Sequence, residues 1–291
     1  MTVSVNTCAP AGTAASDDYA AQFKSDGYIV IRNAISEENV RCTVDEIYDF
    51  LEFDQDDLSA HYSDALRARS GIDQRGMVPF YHGQQLWDNR QAPLLFEIFS
   101  SILGSTDLIV SIDRCNVNPP QTRDWRYSGF THFDVDTTAV PIPFEIQGIL
   151  GLSPHMPNGG GFRCYPGFHR EIDQWVQRRP RDADPRFPDP HEFQLVDVPL
   201  GPGDLVIFDG RLPHGNSANV SDVVRVAQYI TMWRRSDEVF DPKERRECIE
   251  MKLPPLTRKG KRFPASQKRE DTSKPVALSS LGQKLNGLTP R

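Results

Sequence analysis

Thr131-His132-Phe133-Asp134 puts an imidazole and a carboxylate two residues apart, and in an extended segment that spacing turns both toward one side. Far downstream, in GDLVIFDGRLPHGNSANVSDVVRVAQYITM, His214 follows a strand-like run and a Gly-containing turn, at the start of what reads as an irregular loop. Each feature alone is weak, because His-x-Asp arises often by chance and loop histidines are commonly plain polar residues. Together they offer two neutral nitrogens and one anionic oxygen. That donor set suits Fe(II) and leaves neighbouring positions on the metal open for a chelating keto acid and dioxygen, as in non-haem iron oxygenases. Zinc accepts the same ligand types, so the residues by themselves leave it open.

Arg225 narrows the choice. It lies inside the apolar run VVRVAQYITM, where an unpaired charge is expensive to bury, so it needs an anion as partner. A dicarboxylic co-substrate supplies one, and a guanidinium grips a carboxylate with two parallel hydrogen bonds. The competing readings are an Arg paired with an Asp of the fold, or one pointing to solvent from an edge strand. A cupin-like isomerase or hydrolase using zinc or manganese is the alternative function, and it has no need for a fixed cation beside the metal. A closed structural zinc site would call for a fourth protein ligand.

The elements that must hold these residues are legible in outline. AAQFKSDG reads as a short helix closed by Gly27, followed by a strand at Tyr28 to Ile31. Ser36 caps an amphipathic helix with apolar residues at Val40, Val44, Ile47, Tyr48 and Leu51, and APLLFEIFSSILG is a second helix ending at glycine. Beyond residue 107 come short strand-like runs: Leu108 to Ile112, Phe144 to Leu152, Phe193 to Val198, Asp204 to Phe208 and Val223 to Met232. The expected fold is therefore mainly β with flanking helices, its core a sandwich or barrel of jelly-roll type. The Pro- and charge-rich stretch Arg178 to Glu192 reads as a loop inserted between strands. The expected organisation is a loose tail over residues 1–16, one catalytic domain over 17–240 and a C-terminal extension over 241–291, where leucines at 278, 281, 285 and 288 suggest a short docking helix.

Composition excludes several classes. The net charge of −7 gives no electrostatic reason to bind a nucleic-acid backbone, and the basic cluster Arg258, Lys259, Lys261 and Arg262 reads as a solvated segment. No apolar run approaches the length of a membrane span, and the N-terminus lacks the pattern of a secretory signal. Five widely spaced cysteines without a CxxC pair fit a reducing cytoplasm better than a disulfide framework. The expected partner is a small-molecule substrate, with neither nucleic acid nor membrane; the oligomeric state is open, a homo-oligomer included.

The chain resembles the phytanoyl-CoA dioxygenase-like branch of the 2-oxoglutarate oxygenases. The resemblance covers roughly residues 20–235 and rests on FKSDGYIVIRNAISEENV, THFDVDT, NGGGFRCYPGFHR and GDLVIFDGRLPHGNSANVSDVVRVAQY, in the family's order. It implies a double-stranded β-helix core, Fe(II) at His132, Asp134 and His214, and 2-oxoglutarate held by Arg225, with succinate and CO2 released and a C–H bond oxidised. Asn118 stands where many relatives carry a Lys before the Pro-Pro pair, and so falls at a co-substrate position without the charge. Phe130 stands where members often have Gln. The family's habit of lining the barrel mouth points to Tyr81, His82, Arg163 and Trp233 as substrate residues. Asp134 argues against halogenation, since related halogenases leave the carboxylate position empty. Hydroxylation is the default outcome; desaturation, epoxidation and cyclisation use the same ligands. A natural product and an amino-acid-like molecule suit the apolar strand IQGILGLSPHMP about equally, and His155 and His169 are spare histidines in this reading.

Overall fold

The computed structural model describes residues 13–180, 182–188, 193–237, 241–257 and 260–289. The chain opens with α1 (Thr13–Asp26), β1 (Tyr28–Ile31) and α2 (Glu37–Leu51), continues through the short helices α3 (Ser59–Tyr62) and α4 (Asp64–Ser70) to β2 (Met77–Val78), then α5 (Gln84–Arg90) and α6 (Pro93–Leu103). Strands β3 (Leu108–Val110), β4 (Cys115–Asn118), β5 (Ile146–Gly151) and β6 (Phe162–Cys164) follow, then α7 (Ile172–Arg178), β7 (Val196–Asp197), β8 (Leu205–Asp209), β9 (His214–Asn216), β10 (Arg225–Tyr229) and β11 (Met232–Arg234). The C-terminal region adds α8 (Pro242–Glu250) and α9 (Ser280–Leu285).

Among the described residues every strand pairing is antiparallel. A large sheet runs β1-β8-β5-β10-β4-β2, a small one β7-β6-β9, and β11 pairs with β3 separately. Alternation along the strands sorts side chains to two cores. Ile29, Ile31, Cys115, Val117, Leu150, Leu205, Ile207 and Val226 face the helices, where they pack with Ile47, Leu51, Trp87 and Phe99. Val30, Ile149, Val206, Phe208 and Ala227 face the other way and meet Phe162, Cys164 and Phe133 in a second core between the large and small sheets. That second face is where Arg225 and Tyr229 must also point, being in register with Ala227 along β10.

Local chemistry explains the anchoring elements. The Ser36 side chain accepts from the Asn39 amide and caps α2, an interaction worth ~1 kcal/mol. Gly104 ends α6 in the left-handed conformation. Asp204 ties β1 to β8, accepting from Arg32 at 2.5 Å and from the amides of Asn33 and Gly201. Gly203 before it sits at φ +88, where an added Cβ would stand 2.9 Å from the Ile35 carbonyl oxygen.

Several expectations are corrected here. The protein is a mixed helix-and-sheet structure with more residues in helices than in strands, because the strands are short. Helix α1 begins at Thr13, inside the stretch expected as a loose tail, as its Ala-rich start allows; residues 1–12 lie outside the described residues. His214 begins a strand rather than a loop, and the run expected as one strand from Val223 to Met232 is broken into β10 and β11. The run Phe193 to Val198 supplies only the two residues of β7. Arg258 and Lys259 lie outside the described residues. Among the described residues no helix is long and apolar enough to cross a membrane.

Candidate metal and co-substrate site

His132 and His214 are directly opposite one another across a two-residue antiparallel bridge, each amide donating to the other's carbonyl at 2.8 and 3.0 Å. Paired positions share a face, so the two imidazoles are delivered side by side, ring centroids 4.6 Å apart. Asp134, two residues on, completes the cluster: its Oδ1 lies 3.2 Å from His132 Nε2 and its Oδ2 3.1 Å from His214 Nε2. Among the described residues these three form the His/Cys/Asp/Glu group able to hold a metal, with donor atoms all within 4.8 Å of one another.

The fit to an Fe(II) ion rests on three observations. Neighbouring donors at ~2.1 Å from a metal in octahedral arrangement stand roughly 3.0 Å apart, close to the spacings seen here. His214 Nδ1 lies 2.9 Å from the Leu212 carbonyl, which can only accept, so Nδ1 carries the proton and Nε2 keeps its lone pair toward the cluster. Among the described residues no cysteine and no fourth His, Asp or Glu joins the group, so an ion held there keeps open positions. Desolvation acts to raise the Asp134 carboxyl, but the adjacent His214 and His132 imidazoles outweigh it and keep the group well below the usual carboxylate range, so the carboxylate is anionic and available as a ligand. Gln147, on the inward face of β5, donates from Nε2 to Asp134 Oδ2 at 2.5 Å.

Next to this cluster Arg225 is fully buried, and its partners are neutral. Its two terminal nitrogens donate to Asn116 Oδ1 at 2.6 Å and Asn216 Oδ1 at 3.1 Å, and its Nε has no partner. Among the described residues no carboxylate pairs with it; neither the Asp-paired reading nor the solvent-facing one applies. A buried cation held only by amides, with a donor unspent, fits the missing carboxylate of a dicarboxylic co-substrate. Asn216 joins the two halves of the site, since it shares the face of His214 two residues along β9. Tyr127 and Tyr229 belong to the same environment: burial first, then the charge of Tyr229, raises the Tyr127 hydroxyl, while Arg75 and Arg225 oppose it.

The other expected residues are distributed as follows. Asn118 pairs with Arg225 across β4 and β10 and is buried on the inward face, its carbonyl taking a hydrogen bond from Asn219, but the amide that touches the guanidinium is Asn116. Tyr81 and His82 are not brought to the cluster. They lie in the helix-side region, the Tyr81 hydroxyl donating to Pro264, His82 Nε2 within 2.8 Å of the Leu253 carbonyl, and both backbone amides donating to Glu270 of the C-terminal extension. Arg163 alternates with the core residues Phe162 and Cys164, so it projects from the opposite face of the small sheet. Trp233 sits on β11 opposite Ile109, in the separate two-stranded sheet. His155 and His169 join no metal group; burial and then the charge of Arg225 push the His155 ring down to about 3, so it is neutral.

Reading the sequence missed Gln147, Asn116 and Asn216. Signals existed for each: a lone amide in the apolar run EIQGILG, alternating amides in CNVN, and an amide two residues after His214.

Comparison with known proteins identifies the family and the fold. The family described as "Phytanoyl-CoA dioxygenase (PhyH)" matches residues 23–227. The "Ava biosynthesis cluster protein O" of Aspergillus versicolor is 26% identical over 267 residues, covering 81% of this chain and 84% of its own. Among solved structures, a hypothetical protein of Escherichia coli, JW0805, aligns with a TM-score of 0.67 at 15% identity, covering 92% of this chain and 81% of its own. The epimerase SnoN from nogalamycin biosynthesis, described as non-haem and α-ketoglutarate dependent, aligns with a TM-score of 0.55 at 18% identity, covering 76% and 84%. At these identities the structural likenesses speak for the fold.

Proposed function

We propose that this chain, which belongs to the phytanoyl-CoA dioxygenase (PhyH) family of Fe(II)- and 2-oxoglutarate-dependent oxygenases, holds its iron on His132, Asp134 and His214 and the distal carboxylate of 2-oxoglutarate on Arg225. The observation that carries the assignment is the fully buried Arg225, without an acidic partner among the described residues, hydrogen-bonded to Asn216 two residues along β9 from His214 of the three-donor cluster. We read the two facing sheets as the double-stranded β-helix of the family. The catalytic domain in this reading runs over residues 17–240, with 241–291 as a brace rather than a second catalytic unit.

When bound, iron and 2-oxoglutarate supply the oxidising power: dioxygen is split, one oxygen atom leaving in succinate with release of CO2 and the other oxidising a C–H bond. The chain's own residues do the rest. The Leu212 carbonyl keeps the His214 proton on Nδ1, so that Nε2 is available as a ligand. Gln147 holds one Asp134 oxygen by donating to it, which fixes how the carboxylate is turned. Asn116 and Asn216 aim the Arg225 guanidinium, sparing the co-substrate the cost of ordering it. Phe162 and Phe208 pack on the His214 ring, at centroid distances of 5.8 and 4.5 Å, and exclude water from its rear.

Hydroxylation of a small organic molecule is the outcome we assign, with a biosynthetic intermediate as the substrate class. The name of the Aspergillus relative, a biosynthesis cluster protein, supports that class. A zinc or manganese isomerase would leave the buried guanidinium without a task.

The test is anaerobic addition of Fe(II) and 2-oxoglutarate to metal-free protein, following the visible charge-transfer absorption of the chelate. The band is expected in the wild type and absent in His132→Ala and His214→Ala. A folded wild-type protein that shows no band and takes up zinc instead would sink the assignment.

A further inference from the structure

Beside the metal cluster two large aromatic side chains stand partly bare: Phe130 is 37% exposed and Phe187 48% exposed. They touch each other, ring centroids 5.8 Å apart and planes at 70°, and the Phe130 ring lies 4.9 Å from that of His132. Contiguous exposed rings next to a reactive centre call for an occupant, since isolated apolar side chains at a surface are ordinary but grouped ones are not.

The backbone builds this corner rather than leaving it to a mobile tip. Phe130 precedes His132 by two residues in the segment that pairs with β9, so both side chains leave on one face. Phe187 is carried by the loop between α7 and β7, and that loop is pinned to the metal segment. The Phe133 amide donates to the Arg186 carbonyl at 2.9 Å, and the Thr137 hydroxyl donates to the Pro185 carbonyl at 2.7 Å while accepting from Arg179 at 2.8 Å. Proline on either side, Pro185 next but one and Pro188 adjacent, restricts the backbone that presents Phe187. Arg186 covers one face of the Phe187 ring, its guanidinium carbon 5.9 Å from the centroid.

The geometry points to a substrate subsite in which Phe130 and Phe187 form the two walls of a corner for a flat aromatic ring, placed against the metal cluster. A planar ring stacked on one wall presents its edge to the other, so both contacts take the geometries that aromatic pairs favour. An aliphatic ring or a zwitterionic amino acid gains neither. The inference rests on the oxygenase reading for its chemistry and on the corner alone for its binding.

The experiment uses the full chain with Fe(II) and 2-oxoglutarate under anaerobic conditions, with 2-naphthol as the aromatic probe and cyclohexanol as the aliphatic one. Binding is read by equilibrium dialysis and by the change in the visible band of the chelate. The expected result is saturable binding of 2-naphthol with a perturbed band, at least tenfold tighter than cyclohexanol. In Phe130→Leu and Phe187→Leu, which keep an apolar side chain and lose the ring, affinity for 2-naphthol falls about tenfold, while Fe(II) and 2-oxoglutarate affinities stay within twofold; Phe187→Trp retains the probe. Absence of saturable 2-naphthol binding, equal affinity for cyclohexanol, or unchanged affinity in both leucine variants overturns the inference. If the band never forms, the oxygenase reading falls separately, and dialysis against the metal-free protein and the same variants still decides whether the corner binds an aromatic ring.

Discussion

Replacing Arg225 with Met should separate the proposed co-substrate role of this residue from a structural one, because the first role predicts a loss in the 2-oxoglutarate-bound state and the second a loss in the ligand-free state. With 2-oxoglutarate bound, the guanidinium is one half of a buried ion pair, and deleting one half of such a pair costs ~3–5 kcal/mol. At about 1.4 kcal/mol per tenfold, the dissociation constant for 2-oxoglutarate rises by roughly two to three and a half orders of magnitude. Without the co-substrate the balance differs. The cation is desolvated, held by two neutral amide oxygens, and has an unspent Nε, so its loss relieves a burial penalty while Asn116 and Asn216 each lose a donor worth ~1 kcal/mol. Those terms oppose one another, and the ligand-free protein should change stability by less than about 2 kcal/mol. Thermal melts under anaerobic Fe(II) read both quantities. Wild-type protein at a co-substrate concentration of about 100 times its dissociation constant gains ~2.7 kcal/mol, and a variant weakened roughly 150-fold retains only ~0.3 kcal/mol at that concentration. A variant that binds 2-oxoglutarate within threefold of wild type, or one whose ligand-free form collapses, would refute the reasoning.

Three further outcomes follow from particular contacts. Gln147→Leu removes the donor to Asp134 Oδ2, so Fe(II) affinity measured by chelator competition should fall ~10–100-fold, as outer partners of metal ligands usually cost; an unchanged affinity removes Gln147 from the site. Burial first holds His82 down to about 3, with the bond to the Leu253 carbonyl opposing, so the folded state keeps it neutral while the unfolded chain protonates below 6.5. Its contribution to stability is therefore complete above pH 6.5 and drains as pH falls toward 3, ~2 kcal/mol by pH 5, and urea titrations of His82→Gln should lose that part of the slope. Glu270 behaves oppositely: burial raises it to about 7 despite the amides of Tyr81 and His82, so its contribution is present below pH 4.5 and declines as pH rises through 7. Glu270→Gln should flatten the stability profile between those values, and a profile that keeps its neutral-side decline would show that the carboxyl is not the cause.

The His132, Asp134 and His214 cluster was legible because the proposed chemistry needs particular residue types and because two-residue spacing carries over from sequence to an extended backbone. Arg225 was legible for another reason: a lone cation in an apolar strand is a cost that demands an explanation. What sequence could not reveal is which amides aim it. Asn116 and Asn118 alternate with apolar residues as any inward-facing pair would, and only the β4–β10 register shows which of them reaches the guanidinium. That Tyr81 and His82 pack on the helix side, away from the cluster, was hidden for a related reason. Their partners, Pro264, Leu253 and Glu270, come from the C-terminal extension, far away in the chain, and no local pattern announces that docking. The short helices α3 to α5 escaped because each is too short to display a full apolar period.

That docking bears on the site through β10. Residues alternate along this strand, so Arg225, Ala227 and Tyr229 face the site only if Val226 and Gln228 face the helices, and a slip of one residue would turn the guanidinium outward. Gln228 is fixed on the helix side by two buried bonds: its Nε2 donates to the Leu86 carbonyl at 2.9 Å, and its Oε1 accepts from Asn89, which also donates to Thr43 of α2. Leu86 and Asn89 belong to α5. The loop entering that helix and the helix's first turn are each held by a carboxyl group, Glu270 on the amides of Tyr81 and His82 and Glu46 on those of Gln84 and Gln85. Arg90, at the end of α5, closes the arrangement by donating to the carbonyls of Tyr81 and Asp113. The extension thus bears on the face that carries Arg225 from behind, by securing the helix that holds β10 in the register that turns Arg225 inward.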